Sequence, residues 1–182
     1  VFSPVPDSAP EPVPDSAPEP VPESVTEPLS DPVSTTPQLT FVEPAGDDVL
    51  ADWQHVHNVI IPTGALSLDE VRERAGRYHL EVAYLDGEPV GCTTVRPPGS
   101  DSPATGTVIA RILPGHRRRG FGEQLYRRAL ERARAVGATV VETVVLASNE
   151  DGLRFAEAHG FVEFDRYVLP GDTVAYVDLR LG

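Results

Sequence analysis

The chain has no lysine and no methionine, and among its 182 residues only one cysteine and one tryptophan. Without lysine, the Gly-x-x-x-x-Gly-Lys-Ser/Thr phosphate loop is excluded, because its ammonium group has no substitute here. With Cys92 alone, no internal disulfide framework can form. No apolar run approaches the roughly 18 residues that a membrane-spanning helix needs. The amino end lacks the basic-then-apolar order of a secretory signal. A net charge of -13 leaves no general affinity for nucleic acid or an anionic membrane. These exclusions predict a soluble, cytoplasmic protein with no nucleic-acid or membrane partner and no metal.

What remains divides in two. Residues 1–37 are low in complexity: "PVPDSAPE" occurs at 4 and again at 12, and "PVPESVTE" follows at 20. Eleven of the 19 prolines and seven acids fall there, with no arginine, so this stretch supplies -7 of the -13. Proline at that density blocks helix and sheet ladders, and too little apolar surface is present to offset ordering entropy. The expectation is an extended, disordered tail ahead of one folded domain at 38–182.

From Gln38 onward, helical and strand patterns alternate. "LTFVE" reads as a first strand. Asp47 or Asp48 is placed to cap a helix bearing Val49, Leu50, Trp53, Val56 and Ile60, stopped at Pro62. Ser67 and Glu70 form a capping box for a second helix. "LEVAYLDGEPVGCTTV" reads as a hairpin turning at Asp86-Gly87. "GTVIARIL" is a further strand, ended by Pro114-Gly115. A helix with Leu125, Ala129, Ala133 and Val136 on one face follows. "TVVETVVLA" is apolar on both faces and reads as a central buried strand. Asn149 caps the next helix, and two strands close the chain. The predicted fold is α/β of the α+β type: a mixed, mostly antiparallel sheet with helices on both faces. Its order is β-α-α-β-β-β-α-β-α-β-β, and every element is accounted for by residue 182.

The densest chemistry is "HRRRGFGEQL", residues 116–125. A helix amino end offers unpaired N–H groups and a partial positive charge. Gly120 and Gly122 let backbone amides approach a ligand, and Arg117, Arg118 and Arg119 add charge-assisted bonds. That combination suits a phosphate or pyrophosphate. Gly-x-Gly-x-x-Gly fails here, because position 125 is Leu.

Arg117-x-x-Gly120-x-Gly122, set between a strand and a helix, resembles the Arg/Gln-x-x-Gly-x-Gly/Ala signature of the GNAT superfamily of acyl-CoA-dependent N-acetyltransferases. "NEDGLRFAEAHGF", residues 149–161, resembles the family's second signature. The resemblance covers about residues 38–182, and the helix ending in "HNVIIPT" resembles a subgroup often found as tandem domains. It implies a single GNAT-like domain using acetyl-CoA as acyl donor and an amine as acceptor, as monomer or homodimer. It implies that Ile112 and Leu113 pair with the pantetheine arm and that an amide there polarises the thioester carbonyl. Arg117, Arg118, Arg119, Gly120, Phe121 and Gly122 would cradle the pyrophosphate, Asn149 would hold the pantetheine, and Phe155 would pack near the thioester end. The family's usual acid, a tyrosine after that phenylalanine, is here Ala156.

No general base stands out: His55, His57, Glu81 and Glu142 are candidates by residue type alone. Both histidines fit the reading of exposed polar residues on an amphipathic helix. Cys92 is expected to be an ordinary buried cysteine. Three functions remain at this point: an N-acetyltransferase, a non-catalytic acyl-CoA-binding regulatory module, and an interaction protein working through its acidic tail.

Overall fold

The computed structural model describes residues 37–182. The expectations for the octad repeats lie outside the described residues. The elements are β1 (Thr40–Val42), α1 (Asp47–Ile60), α2 (Leu68–Ala75), β2 (His79–Leu85), β3 (Glu88–Arg96), β4 (Thr105–Ile112), α3 (Phe121–Ala135), β5 (Val140–Leu146), α4 (Glu150–Ala158), β6 (Phe161–Tyr167) and β7 (Tyr176–Leu181). The order is the expected one. The strands form one seven-stranded sheet, β1-β2-β3-β4-β5-β7-β6, antiparallel everywhere except between β4 and β5.

Local chemistry explains most boundaries. At α2, the Ser67 side chain accepts from the Glu70 amide, and the Glu70 carboxylate accepts from the Ser67 amide at 2.7 Å. At the β2–β3 turn, Asp86 and Gly87 both take positive φ, 53° and 88°, which gives the hairpin the twist its strands require. At α1, the expected cap is corrected. Gly46 is the cap residue, with extended backbone and no side-chain bond, and Asp47 and Asp48 lie in the first turn. Asp47 is instead engaged by Arg72 of α2, at 2.8 Å.

Side-chain alternation then fixes the two faces. α1 and α2 cover Leu80, Val82 and Cys92, with Trp53, Val56 and Val71 fully enclosed between the layers. α3 and α4 cover Val95, Val108, Val141, Val177 and Leu179 on the opposite face. Leu39 is buried beside Phe121 and Leu125. The Gln124 side chain ties this lead-in segment down, accepting from the Leu39 amide at 3.2 Å and donating to the Pro37 carbonyl at 3.1 Å.

β5 corrects the expectation of a strand buried on both faces. It is central in the sheet, but only Val141 is fully buried. α1 and α2 cover the β2–β3 half of their face and leave the β5–β7–β6 half open. Apolar composition could not reveal this, because Val144 and Leu146 are half-buried at that open face.

The parallel junction matters most for the site. β4 and β5 pair only at Thr105–Val140, Gly106–Val141 and Thr107–Glu142. Beyond that, β4 stays with β3 as far as Ile112, and β5 stays with β7 as far as Leu146. The two central strands therefore diverge, and the sheet opens between them.

Candidate functional site

The opening is lined by backbone that no neighbouring strand pairs. In an antiparallel pair, successive residues direct their N–H and C=O groups to opposite sides of the strand. The Leu113 amide donates to the Val90 carbonyl at 2.9 Å, so Leu113 and Arg111 face β3. Ala110 and Ile112 accordingly face the gap. On β5, the Ala147 amide donates to the Ala175 carbonyl at 2.8 Å, which turns Val144 and Leu146 towards the gap. An extended ligand laid between the strands would meet donors and acceptors from both. The sequence named Ile112 and Leu113 together; the register divides them, leaving the Ile112 amide at the gap and engaging the Leu113 amide elsewhere.

The arginine–glycine turn stands at the mouth of this gap. After Ile112 the chain makes a short 3-10 turn, Pro114–His116, and Arg117 is extended. Arg118 and Gly120 then take positive φ, 62° and 78°, before α3 starts at Phe121. Two positive-φ residues separated by one position bend the backbone sharply just ahead of α3. Gly120 adopts its conformation without strain; Arg118 costs of order 1 kcal/mol in that region.

The three arginines separate by role. Arg117 turns inwards, its Nε donating to the Ile112 carbonyl at 3.1 Å. Arg118 is exposed, 3.8 Å from Asp151 of α4. Arg119 lies over the Phe121 ring at 4.9 Å. Phe121 itself is buried, anchoring the start of α3 to the β3–β4 core, and Gly122 sits against Phe155.

α4 brings the second motif to the same end. Asn149 caps it, its side-chain oxygen accepting from the Gly152 amide at 3.2 Å, which leaves the amide nitrogen as a donor. Gly152, which sequence reasoning passed over, makes room for that side chain. A Cβ there would lie 2.9 Å from Asn149 Cγ and 3.1 Å from Val145 Cγ1. The Phe155 ring packs on His159, with centroids 4.1 Å apart, and meets Tyr126 edge-on. Ala156 is buried in the core beneath α3.

The four base candidates scatter. His55 is exposed on α1. Glu81 points to the α3 face, where Arg128 grips it at 2.7 Å. Glu142 is on the open face but held by Arg180 at 2.7 Å. His57 corrects the expectation of an exposed histidine: it is buried and stacked on Trp53. Its Nε2 lies 3.0 Å from the Gly64 carbonyl and so carries the proton. Burial, and then the Arg111 charge, lower its pKa to about 4, so it is neutral near pH 7 and a weak base. Cys92 is fully buried as expected, and burial raises its thiol to about 11.

The mixed sheet thus opens between two parallel neighbours, and the amino end of α3 stands at the mouth of the opening. The model of the acetyltransferase (GNAT) family matches residues 43–161, and the chain belongs to that family. The fold is shared with solved structures at low identity. One is a putative phosphinothricin N-acetyltransferase, with TM-score 0.67 and 20% identity over 79% of this chain and 98% of that one. Another is yncA, a putative acetyltransferase from Salmonella typhimurium with its cofactor acetyl-CoA, with TM-score 0.64 and 18% identity over 79% and 92%. A third is a ribosomal-protein-alanine N-acetyltransferase from Brucella melitensis, with TM-score 0.63 and 19% identity over 78% and 98%. No curated protein matches the chain in sequence. Among the described residues, no helix is long and apolar enough to cross a membrane.

Proposed function

We propose that this protein transfers the acetyl group of acetyl-CoA to a primary amine by direct attack, without a covalent enzyme intermediate. The observation that carries this reading is the coincidence, at one end of the sheet, of the β4–β5 gap and the Arg117–Gly122 turn. The amides of that turn and the Arg117 guanidinium suit the donor's pyrophosphate. The gap-facing groups of Ala110, Ile112, Val144 and Leu146 suit the pantetheine arm, with the Asn149 amide nitrogen as a further donor.

In the reaction, the neutral amine forms the C–N bond, the C–S bond breaks, and coenzyme A leaves as its thiolate while the amine proton passes to solvent or a base. The Ile112 amide is the donor for the oxyanion that develops on the thioester carbonyl. No side-chain acid replaces the tyrosine missing at Ala156. A thiol of pKa about 8.5 departs as the thiolate, so the missing acid costs at most the lower end of the ~10²–10⁴ such groups supply.

The test is release of free thiol from acetyl-CoA against a panel of amines across pH. The expected profile rises along a single limb as the amine deprotonates, with no fall near pH ~10 where a tyrosine acid would titrate. Tight acetyl-CoA binding with no thiol released for any amine would favour the binding module instead.

A further inference from the structure

Charge on the open face is distributed unevenly. All 15 basic residues are arginine and lie within the described part of the chain. Nine of them contact a carboxylate among the described residues. Six do not. Arg134 is exposed near the end of α3, and Arg117 and Arg119 belong to the turn at the mouth of the gap. The remaining three are Arg74, Arg96 and Arg111, and the charges of Arg96 and Arg74 both bear on Arg111.

Register places Arg111 and Arg96 on one face of the sheet. Cys92 pairs with Arg111, and Arg96 pairs with Thr107, so both arginines project from the α1 side of adjacent strands, four residues apart along β4. Arg74, in the last turn of α2, is close enough for its charge to bear on both Arg111 and His57. Arg111 Nη1 and Arg96 Nε are buried and have no hydrogen-bond partner among the described residues. A guanidinium withdrawn from water without a carboxylate is costly, and its N–H groups ask for an acceptor. Burial accordingly lowers the Arg111 pKa. Arg96 rests on the Tyr78 ring at 5.4 Å, so its planar group is already oriented.

The opposite wall carries different chemistry. Tyr176 and Asp178 project from β7 onto the same face, since Leu146 pairs with Tyr176 and Val144 with Asp178. Tyr176 reaches the 62–64 turn, its hydroxyl 3.8 Å from the Cβ position of Gly64. Asp178 feels the Arg96 charge yet makes no ion pair with it. The face therefore has a cationic wall on β3, β4 and α2, a carboxylate on β7, and the Ile112 amide at its inner edge.

We propose that this face binds an acceptor bearing a carboxylate as well as the amine, a small amino acid or a relative, with Arg96, Arg111 and Arg74 receiving the carboxylate. Asp178 then lies on the side where the ammonium group arrives. Planar guanidinium groups match a carboxylate in two-point geometry, and Arg111 and Arg96 each keep an N–H without a partner among the described residues. The assignment rests on the acetyl-transfer reading above.

The experiment compares matched acceptors on the full chain: α-amino acids, their carboxamides, and the corresponding aminoalkylphosphonates. Thiol release gives kcat/KM for each, and calorimetry in the presence of coenzyme A gives acceptor binding independently of turnover. The expected result is a preference for amino acid over carboxamide of about 10–100-fold, the scale of a charged hydrogen bond. Arg96→Gln and Arg74→Gln should each collapse that ratio while leaving acetyl-CoA affinity unchanged. Arg111→Gln is the stronger test if its melting temperature stays near that of the unaltered chain; the other two variants carry the test if it does not. Equal use of acids and carboxamides, or a ratio insensitive to Arg96 and Arg74, overturns the proposal. A phosphonate preference that these variants abolish overturns the carboxylate in favour of a phosphorus-centred anion. If calorimetry shows Arg96-dependent amino acid binding without thiol release, the binding assignment stands and acetyl transfer fails. Absence of binding for every anionic amine removes the assignment.

Discussion

Arg117 and Gly120 make the proposed pyrophosphate role measurable, because each would contribute by a different mechanism. Arg117→Ala removes a guanidinium already oriented by the Ile112 carbonyl. Acetyl-CoA affinity is expected to fall by about 1.5–3 kcal/mol, with little change in stability. Gly120→Val forces a branched residue into a positive φ of 78° and crowds the amides, so both affinity and stability should fall. Unchanged affinity in both variants by calorimetry would remove the turn from the site. Gly152→Ala probes the second motif. The new methyl would meet Asn149 and Val145, so the cap weakens by about 1 kcal/mol and the Asn149 donor shifts. Asn149→Ala should reproduce the loss of cap and of acetyl-CoA affinity. A fully stable Gly152→Ala with intact affinity would show that Asn149 is free to relocate.

At the scale of elements, α1 gives the clearest pH dependence. His57 is held neutral, with its pKa near 4 in the folded chain against about 6.5 when unfolded. Between these values the unfolded chain binds more protons, so stability rises with pH through that window and is lost as pH falls through it. The expected loss from pH 7 to pH 4 is of order 2–3 kcal/mol for this group. Denaturant melts of His57→Gln should show a flatter slope from pH 6.5 to 4.5; an identical slope would mean that His57 does not govern the window. The same helix shows what sequence could and could not disclose. Its apolar stripe was legible from helical spacing, as were the Ser67–Glu70 box and the Asp86-Gly87 turn, because each depends on residues within a few positions. The Arg–Gly turn was legible for the same reason. The burial of His57 was not, because it depends on the 62–64 turn folding back over α1 to supply the Gly64 carbonyl. Arg96 and Arg111 lie in different strands, and only the β3–β4 register brings them to one face. The one local sign was an arginine inside the apolar run "GTVIARIL", where a buried charge needs a partner.

For the whole molecule, the proposed function makes the gap in the sheet both the binding site and a missing piece of structure. Beyond Thr107 and Glu142 the gap-facing groups of β4 and β5 have no strand between them, while β4 stays paired with β3 and β5 with β7. A ligand that enters as a surrogate strand joins the β1–β4 half to the β5–β7–β6 half. It binds the folded chain and not the unfolded one, so it must raise folding stability by mass action. At acetyl-CoA concentrations about 100-fold above Kd, the gain is about 2.7 kcal/mol, or roughly 5–10 °C in Tm for a domain of this size. Coenzyme A should give most of this shift, because the turn and the gap meet the pyrophosphate and pantetheine that both molecules share. Adenosine diphosphate, which lacks the arm, should give much less. The shift should grow logarithmically with concentration and shrink in Gly120→Val. Equal shifts from adenosine diphosphate and acetyl-CoA would mean that the ligand engages the turn alone and that the β4–β5 gap stays empty when it binds.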